Sequence, residues 1–219
     1  MSGHGQTPPL RVLPRGRHAA PREVVAESQR DRMLVAMADA TASKGYANVA
    51  VADVIERAGV SRRSFYEHFA NKEECFLAAY DAGVAGLLEE IAQAEAQAGR
   101  GLLAGARAGT EAYLQLLADN PAFARTFLVE VLGAGPAALE RRAAVHERFA
   151  QRLLESYRAI GGDVPEPPAY IFRAAVGAIH ELVIDRLLNE GAASLPALLG
   201  PIVEIELRLL RVPGPPPER

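Results

Sequence analysis

The sequence predicts an all-α protein with a small N-terminal head of three helices and a larger helical body. Apolar residues recur at helical spacing from residue 23 to about residue 211. Glycine and proline interrupt this pattern at intervals of one helix length, and no run alternates as a half-buried strand requires. With 219 residues, 49% of them hydrophobic, the chain can bury one small and one medium core, so we expect two domains.

The two ends of the chain are predicted to lack fixed structure. Residues 1–22 form a flexible basic arm in which prolines separate arginines, without an apolar face. Residues 212–219 are rich in proline and form a disordered tail. The head is therefore predicted at residues 23–72 and the body at residues 73–211.

The first two helices of the head are indicated by their apolar spacing and by their ends. Met33 and Met37 lie on one face of a helix within residues 23–45. A second amphipathic helix at residues 51–58 ends at Gly59, because glycine enters a left-handed cap without a Cβ penalty. A tight turn to a third helix follows.

The third helix begins after Ser61, whose hydroxyl can cap it. Phe65 and Phe69 are four residues apart and form its apolar face. The rest of its surface carries polar side chains, namely Arg62, Arg63, Ser64, Tyr66 and His68. Arginine can donate two hydrogen bonds to guanine, whereas serine, tyrosine and histidine suit phosphate oxygens. This surface therefore favours DNA, and the two helices read as a helix-turn-helix.

A further helix begins at the end of this motif. Asn71 is its predicted N-cap, and Glu74 completes an N-x-x-E capping box. Lys72 is then held in the first turn, where it can contact a phosphate as a point charge.

The run from Asp53 to Glu74, with Gly45 and Tyr46 closing the first helix, resembles the DNA-binding signature of the TetR family of transcriptional regulators. The resemblance covers about residues 30–80, and the remaining chain matches only in length and helical character. It implies that the third helix reads DNA. The candidates for base contacts are Arg62, Arg63 and Ser64, and those for phosphate contacts are Ser61, Tyr66, His68 and Lys72.

Three positions depart from the family's pattern. Ala50 stands where members often have serine or threonine, so a phosphate-contacting cap is missing. Ala52 is too short to hydrogen-bond a base but can touch a thymine methyl group. Ile55 stands where a small residue is common, which alters how closely the two helices pack.

Charge is distributed unevenly along the chain. Residues 1–72 hold 11 Lys/Arg against 7 Asp/Glu, whereas residues 73–219 hold 13 against 20. A positive head and a negative body fit contact with DNA at one end, and chance is the alternative. In the arm, Arg15 and Arg17 can enter a minor groove, unless the arm is merely solvated or packs on its neighbour.

The body is predicted to contain six helices, at residues 72–98, 102–118, 121–133, 136–160, 167–190 and 195–211. The resemblance implies a four-helix dimer interface built from the last two. Small and apolar residues there provide the candidates, which are Ala174, Gly177, Ala178, Leu182, Ile202, Ile205 and Leu209. Ordinary monomer core is the alternative for many of them.

The middle helices are expected to enclose an effector pocket if the resemblance extends that far. Aromatic residues would line it and a few polar side chains would anchor the ligand. The candidates are Tyr113, Phe123, Phe127, Glu130, His146, Phe149, Phe172 and His180. The alternative is that these residues are only core. Acids and bases are mixed, without a cationic cluster for a highly charged anion, which favours a mostly apolar or amphipathic small molecule.

The sequence therefore predicts a dimeric regulator that binds a palindromic operator on double-stranded DNA and is released by a small effector. Release of a repressor is the arrangement that the resemblance most favours, and activation or co-repression is the alternative. A second alternative is a DNA-binding regulator controlled by a protein partner or by no ligand. The effector would act by shifting the helix that begins at Lys72.

Other classes of protein are disfavoured. The chain has no G-x-S-x-G elbow, no Walker loop and no dinucleotide glycine pattern, so we expect no enzyme and no cofactor. The single cysteine, Cys75, precludes an internal disulfide and a cysteine-based zinc site, and it is either a core residue or a redox sensor at a helix start. No metal is predicted. Without a secretory signal or a long apolar run, we expect a cytoplasmic protein that does not enter a membrane.

Overall fold

The computed structural model describes residues 22–98, 102–159 and 166–209, and within these ranges the chain is all-α, as predicted. Nine α-helices are joined by loops and short 3-10 turns, without a strand among the described residues. The predicted arm up to residue 21, with Arg15 and Arg17, and the predicted tail at residues 212–219 lie outside the described residues. No described helix is both long and apolar enough to span a membrane.

The helices have the following bounds: α1 Arg22–Lys44, α2 Val51–Ala58, α3 Arg62–His68, α4 Lys72–Gln97, α5 Leu102–Asp119, α6 Pro121–Leu128, α7 Pro136–Ala159, α8 Ala169–Glu190 and α9 Leu199–Leu209. The chain divides into two compact units, of which the first ends at Ala79 and the second begins at Tyr80. The division falls within α4, seven residues beyond the boundary that the sequence suggested.

Two helices of the body are shorter than predicted. The helix expected at residues 121–133 ends at Leu128, and Glu130–Gly133 form a 3-10 turn. The helix expected from residue 195 begins at Leu199, because Ala192–Leu198 also form a 3-10 segment that contains Pro196. Proline lacks the backbone N–H that an α-helix interior needs, so the α-helical pattern starts only after it.

The first unit is organised around an aromatic and sulfur-containing core. Met33 and Met37 of α1 and Phe65 of α3 have no exposed surface, and Phe69 is 3% exposed. At the start of α4, Phe76 packs its ring against Tyr46, with 4.7 Å between ring centroids. The predicted apolar face of α3 is thus buried in the unit, so the opposite face of the helix lies at the surface.

Local capping defines the ends of α2 and α3 as the sequence predicted. Gly59 ends α2 in the left-handed conformation, with φ of 61°, which a Cβ atom would strain. The Oγ atom of Ser61 accepts a hydrogen bond from the N–H of Ser64 at 3.0 Å and so caps α3. The turn between the two helices is therefore specified by two residues that the sequence shows directly.

The second unit is built from α5 to α9 and most of α4. Helix α5 packs against the 3-10 segment Ala192–Leu198 and against α9, while α7 packs against α8. Their common core is aliphatic and almost fully buried, and it includes Leu114, Leu117, Leu128, Leu195 and Ile202. Between these helices the packing leaves the internal cavity described below.

Candidate nucleic-acid interface and internal cavity

Helix α3 presents a basic surface opposite its buried phenylalanines. Arg62, Arg63 and Tyr66 are exposed, and 89% of the Arg63 side chain is accessible to solvent. Because Phe65 is completely buried, the helix cannot turn these side chains inward. The two arginines predicted to read bases are therefore fixed on the outer face of the helix-turn-helix.

Both arginines lie along the surface of their own helix. The Nε–H of Arg63 donates to Oε1 of Glu67, one turn later, at 2.9 Å. The guanidinium carbon of Arg62 lies 5.6 Å from the centroid of the Tyr66 ring. Contacts of this kind at the surface are weak, so either arginine can exchange its partner for the edge of a base.

The serines of α3 contact each other. The hydroxyls of Ser61 and Ser64 are 2.9 Å apart, and the Ser61 oxygen also caps the helix. Ser64 is half-buried, in contrast to its exposed neighbour Arg63. Of the three residues predicted to read bases, Ser64 is thus the least available.

Lys72 is positioned by the backbone and ring of Tyr46. Its Nζ donates to the Tyr46 carbonyl oxygen at 3.0 Å and lies 4.3 Å from the ring centroid. The predicted capping box forms in part: Oδ1 of Asn71 accepts from the N–H of Glu74 at 2.9 Å. The reciprocal bond comes from the N–H of Ala70 to Oε2 of Glu74, one residue earlier than the pattern predicts. His68 is half-buried beside Phe69, with 6.2 Å between ring centroids.

At Ala50, a carboxylate compensates for the missing hydroxyl. Oδ2 of Asp53 accepts from the N–H of Ala50 at 2.8 Å, so this residue closes half of a capping box. Lys44 pairs with the same carboxylate, and its hydrogen bond is the largest cause of the lowered pKa of Asp53. The sequence pattern of an acid three residues after the cap was the signal for this role.

A cavity of about 110 Å³ lies within the second unit. On the same measure a void of roughly 10–15 Å³ holds one water molecule, so this one has room for a small ligand. Five of the eight predicted pocket residues line it, namely Tyr113, Phe127, His146, Phe149 and His180.

The other three predicted pocket residues do not line this cavity. Phe123 stacks on Phe127, with 5.3 Å between ring centroids, but is not itself a lining residue. Glu130 pairs with Nε of Arg125 at 3.2 Å. Phe172 is buried in a packed cluster with Ala150 and Val176, of which only Val176 lines the cavity. Helical spacing predicts that such side chains face inward, but it does not show which neighbour each of them contacts.

His146 and His180 face each other at one end of the cavity. Their rings are 4.5 Å apart between centroids in a T-shaped arrangement. Burial lowers the pKa of His146 to about 4 and that of His180 to about 3, and the positive charge of Arg142 adds to both effects. The Nε2 atoms of both rings are buried without a hydrogen-bond partner among the described residues. Both imidazoles are therefore neutral at physiological pH and available for a ligand.

The opposite end of the cavity carries three ionisable side chains that were not predicted from the sequence, namely Glu95, Arg152 and Glu206. Nη2 of Arg152 donates to Oε2 of Glu95 at 2.5 Å. Gly109 allows this approach, because a Cβ atom there would lie 2.7 Å from Oε1 of Glu95. Burial raises the pKa of Glu206 to about 7, and the charge of Glu95 contributes. The signal in the sequence was an acid four residues after Ile202 on an otherwise apolar face.

Residues 34–79 match the sequence model of a family described as bacterial regulatory proteins, tetR family. Residues 34–79 of the first unit are thus similar to the DNA-binding segment of TetR-family transcriptional regulators. The matched segment contains α2, α3 and the start of α4, which form the basic surface described above.

Solved structures of tetR-family and FadR regulators share the fold of this chain. The fatty acid degradation regulator FadR from Bacillus halodurans is 16% identical, with a TM-score of 0.72 over 82% of this chain and 94% of that one. FadR from Bacillus subtilis, in complex with stearoyl-CoA, is 17% identical, with a TM-score of 0.66 over 80% and 96%. A tetR-family regulatory protein from Rhodococcus RHA1 is 23% identical, with a TM-score of 0.65 over 83% and 96%. No curated protein sequence matches the chain significantly.

The candidate dimer residues differ in exposure. Ala174 and Gly177 of α8 are exposed, Ala178, Leu182 and Ile205 are half-buried, and 37% of Leu209 is accessible. Ile202 is an exception, because it is completely buried and lines the cavity. Its assignment to a dimer surface is wrong: α9 turns this side chain into its own subunit.

Cys75 is a core residue of the head. It has no exposed surface, and burial raises the pKa of its thiol to about 12. The thiol is therefore protonated at physiological pH, which removes the chemical basis for a redox sensor at this position.

Proposed function

We propose that this regulator is a dimeric repressor that binds a palindromic operator and is released by a small, mostly apolar effector. The observation that carries the proposal is the cavity in the second unit, lined by residues from α4 to α9. A regulator that answers only to a protein partner has no need for such a cavity, so its presence favours ligand control.

Binding to DNA is assigned to α3. Arg62 and Arg63 would enter the major groove and contact base edges, and Lys72 and Tyr66 would contact phosphates. The exposure of both arginines opposite a buried face supports this assignment. Two copies related by a two-fold axis would then read two half-sites, which makes the operator palindromic.

Dimerisation is assigned to α8 and α9. Small residues on the exposed side of α8, such as Ala174 and Gly177, permit close approach of a second backbone. Leu188 and Leu209 are large apolar side chains that remain more than a third exposed, and a partner would cover them. We therefore place these helices in the interface, without Ile202.

The effector is expected to be mostly apolar, since aromatic and aliphatic side chains form most of the cavity wall. A protein of the same fold, FadR from Bacillus subtilis, forms a complex with stearoyl-CoA, which also has a long apolar part. Helix α4 begins beside Lys72 in the head and contributes Ile91 and Glu95 to the cavity wall. A ligand that shifts this helix would alter the recognition helices, and coupling of about 1–3 kcal/mol is typical.

The first experiment is selection of bound duplexes from a random DNA pool by the purified full-length protein, followed by sequencing. A two-fold symmetric motif is the expected result, and its half-site spacing reports the geometry of the dimer. Enrichment of a single asymmetric site would contradict a symmetric dimer. Analytical ultracentrifugation of the free protein provides an independent measure of its oligomeric state.

A further inference from the structure

The cavity has two chemically different ends. His146 and Arg152 both line it from α7 and are six residues apart, which corresponds to about 9 Å along a helix. The histidine end contains His146 and His180, and the opposite end contains Glu95, Arg152 and Glu206. The wall between them is apolar and includes Tyr113, Phe149 and Ile202. A ligand in this space is therefore oriented by its polar groups.

Three buried nitrogens at or near the histidine end have no hydrogen-bond partner among the described residues. They are Nε2 of His146, Nε2 of His180 and Nε of Arg142. His180 is only 7% exposed. Two of these nitrogens belong to residues that line the cavity, whereas Arg142 lies behind the lining and acts on both histidines through its charge. Since buried polar atoms are normally hydrogen-bonded, two unpartnered imidazole nitrogens at one end of a cavity indicate a ligand that supplies acceptors.

Arg142 provides a positive charge that the described carboxylates do not neutralise. It lies one turn before His146 on α7 and is half-buried. In the described part of the second unit, the ion pairs of arginine involve Arg125, Arg141, Arg152, Arg158, Arg173, Arg186 and Arg208, but not Arg142. The nearby Arg173 already pairs with Glu147.

The electrostatic field therefore differs between the two ends. The charge of Arg142 lowers the pKa of both histidines, which indicates a positive potential at their end. At the other end, the charge of Glu95 helps to raise the pKa of Glu206, which indicates a negative potential. Arg152 is already paired with Glu95 and so does not offer a free cation there. An anionic group is favoured at the histidine end only.

We propose that the histidine end binds the carboxylate of an amphipathic monocarboxylic acid whose apolar part fills the middle of the cavity. The imidazole N–H groups donate to the carboxylate oxygens, and Arg142 supplies the opposite charge. One unpaired cation matches one carboxylate, which distinguishes this ligand from a highly charged anion. The inference rests on the proposed function, because it names the effector class for the same cavity.

The head-group preference is tested on the unaltered full-length protein by isothermal titration calorimetry. The probes are octanoate, methyl heptanoate, octanol and octylammonium, which have apolar parts of similar size. Octanoate is expected to bind about tenfold more tightly than octanol, and octylammonium most weakly, since a charge-assisted hydrogen bond is stronger than a neutral one. Equal or tighter binding of octanol or octylammonium would overturn the proposal, as would the failure of octanoate to bind.

Two variants locate the binding site. Arg142→Gln is expected to weaken the binding of octanoate about tenfold and to change the binding of octanol little. His180→Phe is expected to weaken the binding of both probes, because it removes the ring nitrogens at similar ring size. Arg148→Gln is the matched control, because Arg148 is an exposed arginine on the same helix, whereas Arg142 is half-buried and its charge acts on both histidines. Unchanged octanoate binding by a folded Arg142→Gln protein would exclude this arginine. Should the variant not fold, the probe series on the unaltered protein still decides the head group.

Release of DNA is measured separately, so that the two proposals can fail independently. The readout is fluorescence anisotropy of a labelled operator duplex taken from the selection. Octanoate that binds in the cavity but leaves the duplex bound would contradict the proposed function alone. Release by octylammonium with octanoate inactive would contradict the inference alone.

Discussion

Replacement of Arg63 by alanine is expected to weaken specific DNA binding while leaving the fold intact. In the free protein the Arg63 side chain is 89% exposed and contacts Glu67 at 2.9 Å. An exposed pair of this spacing contributes about 0.3–0.5 kcal/mol, so its loss hardly affects stability. A bidentate contact with guanine contributes about 1–3 kcal/mol of discrimination. The substitution therefore costs more free energy of DNA binding than free energy of unfolding. Kd for the operator should rise about 5- to 150-fold.

The assay is fluorescence anisotropy on the selected operator and on duplexes that differ from it by one base pair. Arg63→Ala should flatten the preference at one position of each half-site and leave the others unchanged. Arg107→Ala, which removes the same charge from an exposed site in the second unit, serves as the control. Equal weakening on every duplex would remove Arg63 from the base-reading set and assign it to the phosphates.

Three further predictions concern single side chains. Lys72→Ala should weaken binding to all duplexes alike, because a phosphate contact carries no sequence information, and should reduce the slope of log K against log salt by about one. A change in affinity confined to one base pair would contradict this role. Cys75 should react with iodoacetamide only as fast as the native protein unfolds, since burial holds its thiol pKa near 12, and labelling at the rate of free cysteine would refute its burial. Glu206 has its pKa raised from 4.5 to about 7, so it binds its proton more tightly in the folded state, and the native protein loses stability as pH rises between these values. The free energy of unfolding of Glu206→Gln, measured by urea denaturation, should equal that of the unaltered protein near pH 4 and exceed it by at most about 3 kcal/mol near pH 8. A constant difference across this range would exclude the titration of Glu206 as the cause.

The elements of the head could be predicted because local chemistry specifies them. Gly59 and Ser61 determine the turn within three residues of sequence, and the spacing of Phe65 and Phe69 identifies the buried face of α3. The exposed position of Arg62 and Arg63 follows from the same spacing. Each of these features depends on neighbours within one helical turn, which the sequence shows directly.

The cavity could be predicted only in part, because its wall comes from six helices that are distant in sequence. Aromatic residues such as Tyr113 and Phe149 were recognisable as inward-facing, but Phe172 has the same character and does not line the cavity. Glu95 and Glu206 were missed because an acid on a helix is normally solvated. Tertiary packing decides which neighbouring helix covers an acidic side chain, and helical spacing does not show this.

The dimer surface shows the same limit of periodicity. Ile202 and Ile205 belong to one apolar stretch of α9, yet only Ile202 is completely buried. An apolar stretch on a terminal helix can face its own core or a second subunit, and both options bury similar area. The start of α9 was also misplaced, because Pro196 permits a 3-10 segment where an α-helix was expected.

The contact between Arg63 and Glu67 also bears on how quickly the protein can scan a genome. Before it meets a base, the guanidinium already has an anionic partner on its own helix. A mismatched base would replace that partner with one of similar strength, so this side chain would add little to the lifetime of a complex at a mismatched site. Guanine in the correct position offers two aligned acceptors, which Glu67 does not match through the single Nε contact. Residence time, and not only affinity, would thus increase at the operator.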